Sequence, residues 1–140
     1  MTQSRVTLQP MTPEAEQAAG ARSIPINHLP FRIGREARLG IHKGNLEIME
    51  RRKLDHSPNN DIYLVDSGKP LNISREHFLI DQDGNGGYKL VDRGSACGTQ
   101  VGNDSVGGRD QGGACPLLPG TVIIVGIPNS PYIYKFTIEE

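Results

Sequence analysis

Three short segments of this 140-residue chain carry side chains suited to holding an anion. Gly34-Arg35 closes an apolar run, Ser74-Arg75-Glu76-His77 follows, and Asp92-Arg93-Gly94-Ser95-Ala96-Cys97-Gly98-Thr99 comes last. Arginine offers a planar fork of N–H donors that is always charged and meets two phosphate oxygens together. A serine hydroxyl adds a further donor. Arg35 and Ser74 therefore supply the parts of a phosphate cradle, and Arg75 adds positive charge beside them. Other chemistries fit less well. Cys97 and His77 would make a thiol hydrolase only with a group to orient the base, and none is evident. Asp104-Ser105-Val106-Gly107-Gly108 lacks the flanking glycine pattern of a hydrolase elbow. The stretch Gly107 to Gly113 lacks the Lys-Ser/Thr that ends a phosphate-binding P-loop. Asp81-Gln82-Asp83-Gly84-Asn85-Gly86 copies the start of a calcium loop, and Asp92 falls at the last ligand position, where a bidentate Glu is usual. Its flanks read as strands rather than helices, and a hairpin turn explains the glycines and carboxylates without metal. No catalytic residue, metal or cofactor is expected.

The totals narrow the class. A chain of this length suits one domain with a core large enough to need no staples. Hydrophobic residues at 36% and charged residues at 22% describe a globular chain rather than a disordered one. The net charge of -1 argues against a general nucleic-acid binder, which would carry a basic excess. Cys97 and Cys115 are too few for a disulfide framework and too far apart for a metal site, so they read as thiols of a reducing compartment. No run approaches the length of a membrane helix, and residues 1–20 have no apolar signal core. The expected location is the cytoplasm, without membrane insertion.

The elements that must position the three segments are short strands. With 17 Gly and 10 Pro between brief apolar runs, the chain reads as all-β. Residues 1–22 read as a flexible leader, because Glu14 to Ala19 shows no apolar face to hold a helix. The domain is expected over residues 23–140. Strands are expected at Ser23 to Ile26, Pro30 to Ile33, Asp61 to Val65, His77 to Ile80, Tyr88 to Val91, Thr99 to Val101, Thr121 to Val125 and Tyr132 to Ile138. Asp83-Gly84-Asn85-Gly86-Gly87 signals a hairpin. Gly40 to Asn60 reads as a long polar connection, Ser67 to Pro70 as a turn, and Asn103 to Gly113 as a mobile loop.

With these residues in view, the chain resembles the forkhead-associated (FHA) domain family from about Pro30 to Ile138. Phe31-Arg32-Ile33-Gly34-Arg35 is similar to the family's opening strand, and Asn60-Asp61-Ile62-Tyr63-Leu64 to its Asn-Asp-Ile strand. Ser74-Arg75-Glu76-His77 matches its Ser-Arg-x-His. Val91 to Ser95 and Gly98 to Val101 match the body of its Asp-x-x-Ser-x-x-Gly-Thr-x-Val segment, and Leu118-Pro119-Gly120-Thr121 resembles its Leu-x-x-Gly-Asp turn. The resemblance implies a β-sandwich of two antiparallel sheets, about 11 short strands, whose loops at one end bind phosphothreonine peptides. It implies a binding module, not an enzyme, whose partner is a phosphothreonine-containing protein such as a Ser/Thr-kinase substrate. By the same likeness Arg35, Ser74, Arg75, Ser95, Ala96 and Cys97 meet the phosphopeptide, while Gly34, His77, Gly98 and Thr99 support them. The family usually has Thr-Asn where this chain has Ala96-Cys97. That departure opens a second reading, a degenerate domain used for phosphorylation-independent assembly.

Overall fold

A computed structural model describes residues 5–35, 39–42, 45–48, 60–64, 73–74, 76–109 and 112–139. Strands dominate: β1 (Arg5–Pro10), β2 (Ile24–Pro25), β3 (Phe31–Arg35), β4 (Leu39–His42), β5 (Asn45–Ile48), β6 (Ile62–Leu64) and β7 (Phe78–Gln82), followed by β8 (Tyr88–Asp92), β9 (Thr99–Val101), β10 (Asp104–Val106), β11 (Gly113–Leu117), β12 (Val122–Val125) and β13 (Ile133–Glu139). One short helix, α1 (Pro13–Ala19), follows β1. Six strands form one sheet in the order β10-β9-β12-β13-β1-β2, and five form the other in the order β11-β8-β7-β3-β6. The two sheets make a β-sandwich of eleven strands, with β4 and β5 as a separate two-stranded hairpin. All pairings are antiparallel except β3 with β6, which is parallel, so the five-stranded sheet is mixed.

Period-two alternation places the core. Leu8, Ile123, Val125, Tyr134 and Phe136 point inward from one sheet, and Phe31, Ile33, Phe78, Ile80 and Leu90 from the other, all buried. Across the five-stranded sheet, register sets Phe31, Ile80, Leu90 and Cys115 in one row and Ile33, Phe78, Asp92 and Gly113 in the next. That second row is the last before the loops. The C-terminal ends of β3 and β8 and the N-terminal ends of β7 and β11 therefore share one end of the sandwich. In the other sheet Thr99 opens β9 opposite Val106, which closes β10.

From Arg5 onward the expected leader is instead structural. β1 lies inside the six-stranded sheet, paired with β13 from Arg5↔Glu139 to Pro10↔Tyr134 and with β2 on its other side. The sequence reading missed it because its partner lies at the opposite end of the chain, where no local signal reaches. The helix does have a face that holds it. Thr12 caps it by accepting the Ala15 N–H, Gly20 ends it in the left-handed region, and Ala15 is fully buried. Its apolar face is made of alanines, which are too small to register as a stripe.

Two further differences concern loops. Part of the expected mobile loop, Asp104 to Val106, is β10 in a hairpin with β9, and Gly113 to Leu117 is β11, an edge strand that tolerates Pro116. Within the expected long connection, β4 and β5 pair, while residues 49–59 and the turn expected at Ser67 to Pro70 lie outside the described residues. Among the described residues no helix is long and apolar enough to cross a membrane.

Leu8 separates the two accounts of the N-terminus. Its side chain is fully buried, so Leu8→Ala should cost about 2–5 kcal/mol, through lost burial and the cavity left behind. Urea unfolding of the full chain checks this; an unchanged midpoint would return residues 1–22 to the status of a leader.

Candidate functional site

The loops at the shared end are built from their backbone groups upward. β3 ends at Arg35, whose N–H donates to the Ser74 carbonyl at 2.9 Å, and whose Nη1 donates to the Ile73 carbonyl at 3.1 Å. The guanidinium is thereby tied to the segment that carries Ser74. Arg35 is half-buried rather than held out in solvent. Gly34 is buried within β3, opposite Tyr63 of β6. Arg75 lies outside the described residues.

His77 joins the second loop to the third. It is fully buried. Its Nδ1 accepts the Ser74 N–H at 3.0 Å, so the ring proton sits on Nε2, which donates to the Gly98 carbonyl at 2.6 Å. Its backbone continues the brace: His77 N–H donates to Ile33 O, and Arg93 N–H donates to His77 O. Burial lowers the imidazole pKa from its ordinary value near 6.5, while the Gly98 bond and the charge of Asp92 oppose that shift. The neutral ring has one donor and one acceptor, and both are used.

Asp92 and Ser95 shape the third loop from inside. The Asp92 carboxylate accepts the Gly94 and Ser95 N–H groups at 2.8 and 2.9 Å and the Ser95 hydroxyl through a short bond. Ser95 Oγ in turn accepts the Gly98 N–H at 3.0 Å. Ser95 is fully buried, which corrects its expected place among the peptide contacts: its hydroxyl is spent on the loop itself. Gly98 and Thr99 are also buried, and Gly98 adopts a φ of 78° with the Val106 carbonyl 3.0 Å from where a Cβ would stand.

The tip of the third loop faces out. Ala96 and Cys97 are exposed. Ala96 N–H donates to Ser74 Oγ at 3.0 Å, so the second and third loops meet again through that hydroxyl. Because Ser74 Oγ accepts this bond, its proton is left to donate elsewhere, and the accepted bond polarises it. No disulfide joins Cys97 to Cys115. Burial, aided by Asp104, raises the Cys115 thiol pKa.

Sequence reasoning missed four participants. Arg93 donates from Nη1 to Asn60 Oδ1 at 2.5 Å and from Nη2 to Glu76 Oε2 at 3.2 Å, clamping the start of the third loop to the second. Asn60 and Arg93 both stood in quoted motifs without a role. Gly107 lies against Asp92: a Cβ there would stand 2.1 Å from Oδ1. Arg109 donates its N–H to the Ala96 carbonyl at 2.8 Å and has a φ of 54°, a left-handed conformation costing about 1–2 kcal/mol for a residue with a Cβ. The available signal for Arg109 was its isolation, as the sole cation between Gly102 and Gly113.

The family model of the FHA domain matches residues 31–126, which span β3 through β12 and every loop of the site. The chain belongs to the FHA domain family. FHA structures share its fold. EmbR of Mycobacterium tuberculosis, solved in complex with a low affinity phosphopeptide, superposes with a TM-score of 0.56 at 22% identity, covering 99% of this chain and 25% of EmbR. This chain thus spans a quarter of that protein's length. The FHA domain of CT664 protein from Chlamydia trachomatis gives a TM-score of 0.59 at 15% identity, covering 97% of this chain and 99% of that one. The kinase-interacting FHA domain of kinase associated protein phosphatase in Arabidopsis gives 0.55 at 18% identity, covering 100% and 98%. Among curated proteins none matches the sequence.

The buried imidazole makes the domain acid-sensitive. Unfolded, His77 takes a proton near pH 6.5; folded, its lowered pKa resists that proton. Its contribution is therefore full above pH 6.5 and is lost as pH falls from there toward the folded pKa, by at most about 1.4 kcal/mol per pH unit. Urea unfolding at pH 7, 6 and 5 should show a steeper loss in the wild type than in His77→Gln, which cannot titrate. Parallel pH profiles would take His77 out of this role.

Proposed function

We propose that this FHA domain is a phosphothreonine reader, an adaptor that binds a phosphorylated segment of a Ser/Thr-kinase substrate in the cytoplasm and catalyses nothing itself. The observation that carries the reading is the convergence of Arg35 and Ser74 on one edge of the loop end, each fixed by its own backbone. Arg35 N–H bonds Ser74 O and its Nη1 bonds Ile73 O, so guanidinium and hydroxyl keep a set relation before any ligand arrives. A phosphothreonine brings nearly two negative charges and several acceptor oxygens. The guanidinium fork takes two oxygens, the Ser74 proton takes another, and Arg75, next in sequence, adds charge. Loops already braced by His77 lose little freedom on binding, which favours affinity.

A second reading remains in view because of one observation. The exposed tip of the third loop carries Ala96 and Cys97, an alanine with no side-chain hydrogen bond and a thiol that is a weak partner. A domain with so little to hold a peptide there could serve phosphorylation-independent assembly instead. Matched phosphothreonine and threonine peptides separate the two: binding of the first alone supports the reader, and equal binding of both supports assembly.

Under the first reading Arg35→Ala should lower phosphopeptide affinity on the order of a hundredfold, since charge-assisted bonds are each about 1.5–3 kcal/mol. Arg35→Lys should restore only part of it, because the fork is lost while the charge is kept. Calorimetry checks both, with circular dichroism for the fold. Unchanged affinity in a folded Arg35→Ala protein would remove Arg35 from the site.

A further inference from the structure

Arg109 stands beside the phosphate cradle in a conformation its residue type does not favour. The loop from β10 to β11 carries glycine at each of its other described left-handed positions: Gly107 at φ 78°, Gly108 at 98°, Gly112 at 73° and Gly113 at 138°. At φ 54° it carries arginine instead. Strain kept at one position where its neighbours avoid it points to a use for the side chain.

Two contacts fix where that side chain starts. Arg109 N–H bonds the Ala96 carbonyl at 2.8 Å, and Gly108 lies on the Ala96–Gly98 backbone, with the position of a Cβ 3.8–3.9 Å from Ala96 O, the Cys97 carbonyl carbon and Gly98 N. Ala96 is itself bonded to Ser74 Oγ at 3.0 Å, so two hydrogen bonds separate Arg109 from the proposed phosphate donor. Arg109 is exposed, and no ion pair engages it among the described residues. The described carboxylates nearby are otherwise placed: Asp92 is buried and bonded within the third loop, and Asp104 is at the far end of β10.

We propose that Arg109 is a specificity-determining contact of this site, selecting a phosphothreonine peptide that carries an acidic side chain close to the phosphothreonine. The inference rests on the phosphothreonine reading. A strained backbone anchor brings a cation to the edge of the loop whose own tip, Ala96 and Cys97, offers no charge. The peptide passing that tip meets Arg109 as the side chain able to discriminate electrostatically, and the complement of a guanidinium is a carboxylate.

The test uses the full chain and an alanine-based peptide with one central phosphothreonine, in which aspartate or lysine is placed singly at each of the three positions before and four after it. In calorimetry at low salt, the wild type should prefer aspartate at one or two adjoining positions by roughly two- to fivefold, the range of an exposed ion pair. Arg109→Gln should bring that preference to within about 1.5-fold while leaving the all-alanine phosphopeptide unchanged, and Arg109→Glu should turn it toward lysine. Arg109→Gly should lose the preference without losing thermal stability, which separates the side chain's use from the loop's. Wild-type binding of phosphopeptides with no charge preference would overturn the inference and leave the phosphothreonine reading standing. An equal loss for all phosphopeptides in Arg109→Gln would assign Arg109 to the phosphate instead. Failure of every phosphopeptide to bind the wild type would overturn both readings.

Discussion

The site depends on one buried, neutral histidine. His77 is where the two sheets' loop ends are joined by something other than packing: one ring nitrogen holds the second loop at Ser74, the other holds the third at Gly98. Gly98 O also accepts the Gly126 N–H, so the same carbonyl ties in the turn after β12. An imidazole suits the position because it is rigid and offers one donor and one acceptor on opposite sides of a ring. An amide could imitate either bond but not their separation. A charged imidazolium could not accept from Ser74, and burial holds the ring neutral.

From that joint the division of labour follows. Polar side chains that look like ligands in the sequence are mostly consumed by the fold. Asp92 and Ser95 close the third loop on itself, and Arg93 locks Asn60 and Glu76 together. Glycine is used at Gly107 because the Asp92 carboxylate occupies the place of a Cβ. Among the described side chains of these loops, Glu76, Ala96, Cys97 and Arg109 are exposed, while Arg35 and Ser74 are half-buried and Arg35 already bonds Ile73 O.

Much of this was legible in the sequence, and the misses have physical causes. The all-β class and the central strands followed from turn residues and short apolar runs, as at Phe78 to Ile80 and Ile123 to Val125, and the sandwich came with the family resemblance. The order of the three segments pointed to one family. β1 was not legible because strand pairing with β13 is a contact between chain ends, and Val6 and Leu8 alone are too short a signal. β11 was hidden by Pro116, which reads as a breaker unless the strand is known to be at an edge. Within the site, residue type said that Ser95 could bind, but only geometry shows the hydroxyl turned inward to Asp92. Arg109 could not be found by motif at all, since what distinguishes it is a backbone angle and a bond to Ala96.

The third loop is held almost wholly through atoms that every residue has. At its tip, Ala96 gives its N–H to Ser74 and its carbonyl to Arg109, and Gly98 gives its N–H to Ser95 and its carbonyl to His77. None of these bonds uses the side chain at 96. The loop's path is therefore set by Asp92, Ser95, Gly98 and His77, while the methyl group at 96 holds none of these bonds. That is the arrangement in which a binding surface can change its chemistry without a change in stability. An alanine at the tip then bears on what the loop can hold rather than on where it stands. Here the fold brings an arginine, anchored by its own N–H to the same loop.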